Sequence, residues 1–414
     1  MRYLIFVLSG SPYRLLVRLL LFTLIAPRVF AQIDPEPRQL IQVGYNQMVT
    51  GKSPIAGYAY YYWNQPEFVR TNLTLRLALA PVYLDSELGI KGALGENTDI
   101  GIGLAGGGFA DSYSEVRRGN YLKSESFTGH GGELSANLYH LFNPGDRIPL
   151  NGILSVAAHQ SFYETDSDTA PGFQVPANQT VVHLRSGLRF GGREPTLAPD
   201  LAMEVSFWQE TQFRTEAGNY GFAGDRSLKG NSHLFWGRLL FIYTMEEWKH
   251  NLSFSLTGGG SINADRFNAF RLGAVMPLAS EFPLDLPGYY FQELTAERFT
   301  HFNLQYSLPL DSKRRWNLTA HCSTAFVDYL SGLDQPGKWH TGAGGGVMYR
   351  APSGSWLIMA GYAYGFDTIR SDGRGSSSIG FLCQFDLAAA GKAFKARQDP
   401  DAAPRSRGLF RIFN

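Results

Sequence analysis

Leu73, Leu75, Leu77 and Leu79 alternate with Thr74, Arg76, Ala78 and Ala80. The same period of two recurs in Val182 to Phe190, where Leu184 and Leu188 alternate with His183, Arg185, Gly187 and Arg189. It recurs in Leu201, Met203, Val205 and Phe207 against Ala202, Glu204, Ser206 and Trp208, and in Leu252 to Leu256 and Phe302 to Leu308. Successive side chains of a strand point to opposite faces, so each run has one apolar face and one that carries the charges. A soluble sandwich would alternate in the same way, but its strands usually have only about five or six residues. These runs suit the roughly 9–11 residues of a strand that crosses a bilayer. Aromatics gather near run ends, at Tyr58, Tyr60, Tyr62 and Trp63, Trp208 and Phe213, Tyr243 and Trp248, and Tyr362, Tyr364 and Phe366, as an interfacial girdle requires. The pattern predicts an all-β fold, a single transmembrane antiparallel barrel of about sixteen strands and outer-membrane type. Sixteen candidate strands run from 40–48 to 375–387; they include 73–84 and 266–277, while 86–93 is ambiguous.

Composition agrees. Charged residues make up 18%, below the roughly 25% of ordinary globular chains. Aromatics reach 14% and glycines number 46, a mixture suited to many strands and tight turns. A net charge of +1 gives no field that would favour nucleic acid. Two cysteines, Cys322 and Cys383, are too few for a disulfide framework and read as unpaired packing residues. Residues 1–31 read as a cleaved secretory signal peptide, with Arg14 and Arg18, an apolar Leu19–Ala26 and the site Val29-Phe30-Ala31. After it no stretch approaches the roughly 18–20 apolar residues of a membrane helix. The expected organisation is signal peptide 1–31, barrel 32–387 and a basic, disordered periplasmic tail 388–414. Met245–Trp248 and Pro352-Ser353-Gly354 read as periplasmic turns, and 110–128, 164–178, 214–228 and 329–337 as surface loops.

Signatures of catalysis are weak. Gly101-Ile102-Gly103-Leu104-Ala105-Gly106 matches a dinucleotide fingerprint formally. Its glycines alternate with apolar residues and lack the following helix, so it reads as a strand with a small lumenal face. The nine histidines lack metal-ligand spacing. His130 with Glu133, or His159 with Ser161, could pair, but nothing marks the third group that a lipid hydrolase needs. Arg76, Arg185, Arg189, Glu204 and Glu210 read as lumenal charges that satisfy one another. No catalytic residue, metal site or cofactor is expected.

Residues 266–387 resemble the barrel of BamA/TamA-type bacterial surface antigens, which insert or translocate proteins across outer membranes. The order of parts carries the resemblance. Arg266–Gly273 is similar to the strand that leads to that family's sixth surface loop, and Leu286-Pro287-Gly288-Tyr289 to the loop's tip, hydrophobic-Arg-Gly-aromatic. Asn303–Tyr306 and Ala325–Asp328 resemble the two strands that follow, and Gly346–Trp356 a strand–turn–strand passage. Ser378, Gly380, Cys383 and Phe385 match the last-strand signal read by the barrel-assembly machinery. The resemblance makes Asp328 the lumenal partner of the loop tip. Here, however, the tip arginine is Pro287, the glycine expected after Asp328 is Leu330, and strict alternation puts Asp328 on the face of Trp316 and Leu318. A bulge or a different facing is therefore expected. The chain resembles a relative that lacks the family's periplasmic POTRA domains.

The resemblance implies a role in outer-membrane protein assembly or export, through a seam between the first and last strands. Its partners would be outer-membrane lipid, the assembly machinery during biogenesis, and protein clients or a periplasmic partner. A passive porin-like channel and a purely structural surface barrel are the alternatives.

Overall fold

A computed structural model describes residues 33–398 except 55, 193–196, 198, 276–280 and 372; the signal-peptide expectation and residues 399–414 lie outside the described residues. Sixteen antiparallel strands close into a barrel: β1 (Arg38–Met48), β2 (Ala56–Pro66), β3 (Leu73–Ala80), β4 (Tyr83–Ile90), β5 (Thr98–Gly107), β6 (Thr128–Leu141), β7 (Leu150–Glu164), β8 (Gln179–Gly192), β9 (Leu201–Arg214), β10 (Asn231–Thr244), β11 (Asn251–Ile262), β12 (Leu294–Pro309), β13 (Trp316–Tyr329), β14 (Trp339–Arg350), β15 (Trp356–Arg370) and β16 (Gly373–Asp386). Each strand pairs with its sequence neighbour, and β1 closes on β16 from Leu40↔Asp386 to Met48↔Ser378.

The alternation sorts as the sequence predicts. Along β9, Val205 and Phe207 are exposed to the outside, while Ala202, Glu204, Ser206 and Trp208 are buried in the lumen. Backbone groups along the wall pair with the next strand all the way round the barrel, which is what a lipid environment demands. The long connections after β5, β7, β9, β11 and β13 share one end, the surface end by the usual asymmetry of such barrels. The shorter turns, including 245–250 and 351–355, share the other end with the start of β1 and the end of β16.

Three expectations need correction. The run 73–84 is not one strand: it folds back at Pro81-Val82, so Leu79 faces Leu84, and the ambiguous stretch becomes β4. Conversely, 266–277 is not a wall strand. Only Phe270–Leu272 is extended, and it pairs with Leu294–Ala296 at the head of β12 inside the loop after β11. The two errors offset each other in the count. The expected disordered tail begins with a helix, α1 (Leu387–Gln398). Its alanines are strong helix formers, and Asp386 caps it by accepting the Ala389 N–H at 2.8 Å.

The interior holds the core. Leu272, Leu284, Leu286 and Tyr289 of the loop between β11 and β12 pack with Leu294, Phe299, Ala325, Val327 and Tyr329 of the wall. Above it, Tyr113, Phe127, Phe173, Tyr220 and Leu228 from three surface connections form a second cluster, with Phe267 packed against it.

Candidate functional site

The described residues of the connection 263–293, the sixth at the surface end, run into the lumen instead of standing clear of it. It doubles back on itself: Leu286 donates its N–H to the Gly273 carbonyl (2.8 Å) and Ala274 to the Tyr290 carbonyl (3.0 Å). The tip Leu286-Pro287-Gly288-Tyr289 is a tight turn closed by Tyr289 N–H to the Leu286 carbonyl at 3.2 Å. Proline at the second position and glycine at the third, with Gly288 at φ 82°, are what a type II turn asks for. The proline that replaces the expected arginine thus pre-forms the tip.

That tip lies directly on the wall. A Cβ on Gly288 would sit 2.0 Å from the Gly365 nitrogen of β15, and one on Gly342 of β14 would sit 2.1 Å from the Pro287 carbonyl oxygen. Tyr289 is fully buried, and its hydroxyl meets His340 Nδ1 at 3.1 Å. The other ring nitrogen of His340 meets the Tyr329 hydroxyl, which donates to the Gly337 carbonyl at 2.9 Å. Burial holds the Tyr289 phenol above its ordinary range, with Glu293 adding to the effect, so it stays a neutral donor.

Charged anchors hold the rest of the loop; where it leaves β11, Asp265 pairs with Arg214 of β9 and Arg266 with Glu115. At its end, Glu293 takes both arms of Arg370 from β15, at 2.7 and 2.9 Å, with both side chains almost wholly buried. The Tyr290 ring lies 3.8 Å from that guanidinium, and Glu293 also accepts the Tyr290 N–H at 2.7 Å. Further in, Glu281 pairs with Arg189 and Arg185 of β8 (3.2 Å to Arg185), and its carbonyl accepts from Arg238 of β10 at 2.6 Å. Burial pushes the Glu281 carboxyl up, but Arg189 and Arg185 outweigh it and hold it low. Phe282 meets Trp208 and Trp236 edge-on at 5.5 and 5.9 Å, and Arg185 covers both indoles. Trp208 is therefore lumenal, and Tyr58 and Tyr60 point inward to Gln42; none of the three belongs to the expected girdle.

Asp328 is not brought to the loop. It lies on the outward face of β13, paired with Arg298 at 2.7 Å and Lys338 at 3.0 Å. The bulge that would have turned Asp328 inward is not there: the irregularity lies on the neighbouring strand, between Ala296 and Arg298, where it turns Ala296 inward and leaves Arg298 and Asp328 outward. The polarity of the loop's anchor is thus reversed: the loop supplies the carboxylate and the wall supplies the guanidinium.

Ser378, Gly380, Cys383 and Phe385 lie on β16 opposite Met48, Asn46, Val43 and Ile41 of β1. Ser378 and Gly380 face the lumen, Cys383 and Phe385 the outside. Across this seam Gln42 donates to Gln384 at 3.0 Å and accepts from Tyr58 and Tyr60. Pairing covers nine residue positions, as many as between β1 and β2, so no shortage of backbone pairing marks the seam. Elsewhere His159 has both ring nitrogens taken by carboxylates, Asp111 at 2.8 Å and Glu133 at 3.4 Å, which leaves neither to act as a base for Ser161. The charges that sequence reasoning missed, Arg238, Glu281, Glu293 and Arg370, become legible only when the loop is inside.

No known family model matches the chain, and no curated protein sequence does. Solved structures do match. CdiB from Acinetobacter baumannii superposes with a TM-score of 0.56 at 10% identity, covering 84% of this chain and 60% of that one. CdiB from Escherichia coli gives 0.56 at 11% identity, covering 85% and 64%. BamA from Haemophilus ducreyi lacking POTRA domains 1–3 gives 0.53 at 9% identity, covering 84% and 70%. The chain thus spans about six tenths of the length of the CdiB chains. At these identities the likeness is one of fold: a sixteen-stranded barrel of the BamA and CdiB type, located in the bacterial outer membrane.

Proposed function

We propose that this barrel serves outer-membrane protein assembly or export, with the 263–293 loop as a lumenal plug and the β1–β16 junction as a lateral seam that opens to template an incoming strand. The observation that carries the reading is the docking of Leu286–Tyr289 on β14 and β15, next to the closing strand β16. A barrel with a glycine-lined berth for its own loop is built to be closed, whereas a passive pore gains nothing from Gly342 and Gly365 facing that loop. An opened seam would expose two unpaired strand edges, and such edges recruit strands by main-chain hydrogen bonding.

The seam supplies its own test. Val43 stands directly opposite Cys383, and Cα atoms of directly opposed antiparallel residues lie about 4.5–5.5 Å apart, inside disulfide range. In a Cys322→Ser background, Val43→Cys should form a cross-seam disulfide under oxidation. The expected outcome is loss of assembly or export activity in cells, restored by reductant. A quantitatively formed bridge that leaves envelope assembly and growth untouched would remove the lateral seam from the mechanism.

A further inference from the structure

The outward face of a lipid-embedded wall is the place where charge is least welcome. A lysine or arginine there is costly at mid-bilayer and costs little near the headgroups. Yet Arg298, Asp328 and Lys338 all lie on the outside, at the surface ends of β12 and β13 and just before β14. Below them β12 presents Phe302 and Leu304, and β13 presents Phe326, Cys322 and Leu318. The cluster therefore marks the level at which the apolar belt meets the outer headgroups.

Its composition is specific. Arg298 uses Nε and Nη2 on one oxygen of Asp328, and Lys338 donates to the other oxygen. Two cations share one carboxylate, so one positive charge is left over, with Nη1 of Arg298 and two hydrogens of the ammonium group unspent among the described residues. Arg298 is 69% and Lys338 56% exposed at the side chain. Lys338 also lies 5.8 Å from the Phe326 ring, which meets Trp339 edge-on at 5.5 Å, and Trp339 is 63% exposed. Asp328 positions the two cations and keeps their remaining donors apart from the wall.

We infer that this patch is a binding site for a phosphate-bearing glycolipid of the outer leaflet, with Arg298 and Lys338 taking the phosphate and Phe326 and Trp339 packing on the sugar–acyl boundary. The inference depends on the outward face and not on the seam, so it stands or falls apart from the proposed function. Patches of this chemistry fix a barrel's height and tilt as well as its lipid neighbours.

The test uses full-length protein in detergent, with folding checked by heat-dependent gel migration. Binding is measured to phosphorylated glycolipid, to the same glycolipid after phosphatase treatment, to phosphatidylglycerol vesicles and to inorganic phosphate. The expected result is at least tenfold preference for the phosphorylated glycolipid. That preference should be lost in Arg298→Ala/Lys338→Ala and kept in Arg298→Lys/Lys338→Arg. Equal binding of the dephosphorylated lipid, or full retention by the double alanine variant, overturns the site. Equal binding of inorganic phosphate or of phosphatidylglycerol overturns the glycolipid assignment.

Discussion

On the β8–β10 bank of the lumen, Arg189 and Arg238 reach Glu204, and Arg185 stands opposite Glu210, which His183 also engages at 3.2 Å, so three guanidiniums meet two wall carboxylates. On the β3–β4 bank, Arg76 faces two wall carboxylates, Asp85 at 3.2 Å and Glu87 at 3.3 Å, and the Tyr139 hydroxyl donates to Glu87 at 2.8 Å. The residue types are the same and the balance is opposite. The first bank is short of negative charge and is completed by the loop's Glu281; the second already has negative charge to spare and has no use for a loop carboxylate. Of the loop's carboxylates, Glu281 ends on Arg189 and Arg185 of β8, Glu293 on Arg370 of β15 and Asp265 on Arg214 of β9, while Asp285 meets no guanidinium among the described residues. The lumen wall thus selects one side for the plug by leaving that side's charges uncompensated, and the glycines of β14 and β15 then set the contact distance.

The comparison breaks most visibly at Arg370. Arg370→Ala leaves Glu293 buried without a counter-charge, at a cost of about 3–5 kcal/mol, and the docked loop is the element free to relieve it. The expected outcome is undocking: planar-bilayer conductance in a barrel otherwise nearly silent, and new protease cleavage within 281–292. Removing both partners in Glu293→Leu/Arg370→Met should recover most of the docking, because no unpaired charge remains. A silent, protected Arg370→Ala barrel would mean that the plug is held from elsewhere.

A smaller effect is expected at the berth. Gly342→Val places a branched side chain where the Pro287 carbonyl oxygen now lies, 2.1 Å from the new Cβ. Overpacking of this kind costs about 1–3 kcal/mol, which predicts intermittent rather than steady conductance. Gly132→Val is the control, since its Cβ would meet nothing closer than 4.0 Å. If both valine variants conduct alike, the tip contact is not what seats the loop.

The barrel could be read from the chain because lipid imposes a strict period of two, and that period survives in single strands such as Leu201–Trp208. The hairpin at Pro81-Val82 could not, because apolar residues continue from Leu79 through Val82 to Leu84 and no glycine or asparagine marks the turn. The stretch 266–277 looked like a wall strand because a lumenal segment is also half apolar; only the pairing of Phe270–Leu272 with Leu294–Ala296 tells them apart. The tip Leu286–Tyr289 was found from its residues, and its Pro-Gly pair already specified the turn. Arg370 and Glu293 were beyond reach, because they are 77 residues apart and no local pattern joins them. Asp328 shows the opposite limit: alternation alone placed it outward, and the family resemblance pulled it inward.

The self-sufficient bank gives the smallest expected effect and the sharpest contrast. Arg76 is about a third exposed, so its pairs with Asp85 and Glu87 are screened and worth about 0–1 kcal/mol. Arg76→Ala should therefore leave plug docking, protease protection and bilayer silence unchanged, since no loop residue depends on it. Its consequence appears only when the lumen is emptied. In a barrel lacking residues 284–292, ions pass along whichever wall remains charged, and lumenal charge tunes selectivity. The parent deletion keeps Asp85 and Glu87 partly neutralised; adding Arg76→Ala frees both and should shift the reversal potential under a salt gradient toward cations. Arg185→Ala in the same deletion should give a cation shift too, but there the intact barrel should also loosen, because Arg185 faces the loop. If Arg76→Ala unplugs the full-length barrel as readily as Arg185→Ala does, then both banks hold the loop, and wall charge cannot be what chooses its side.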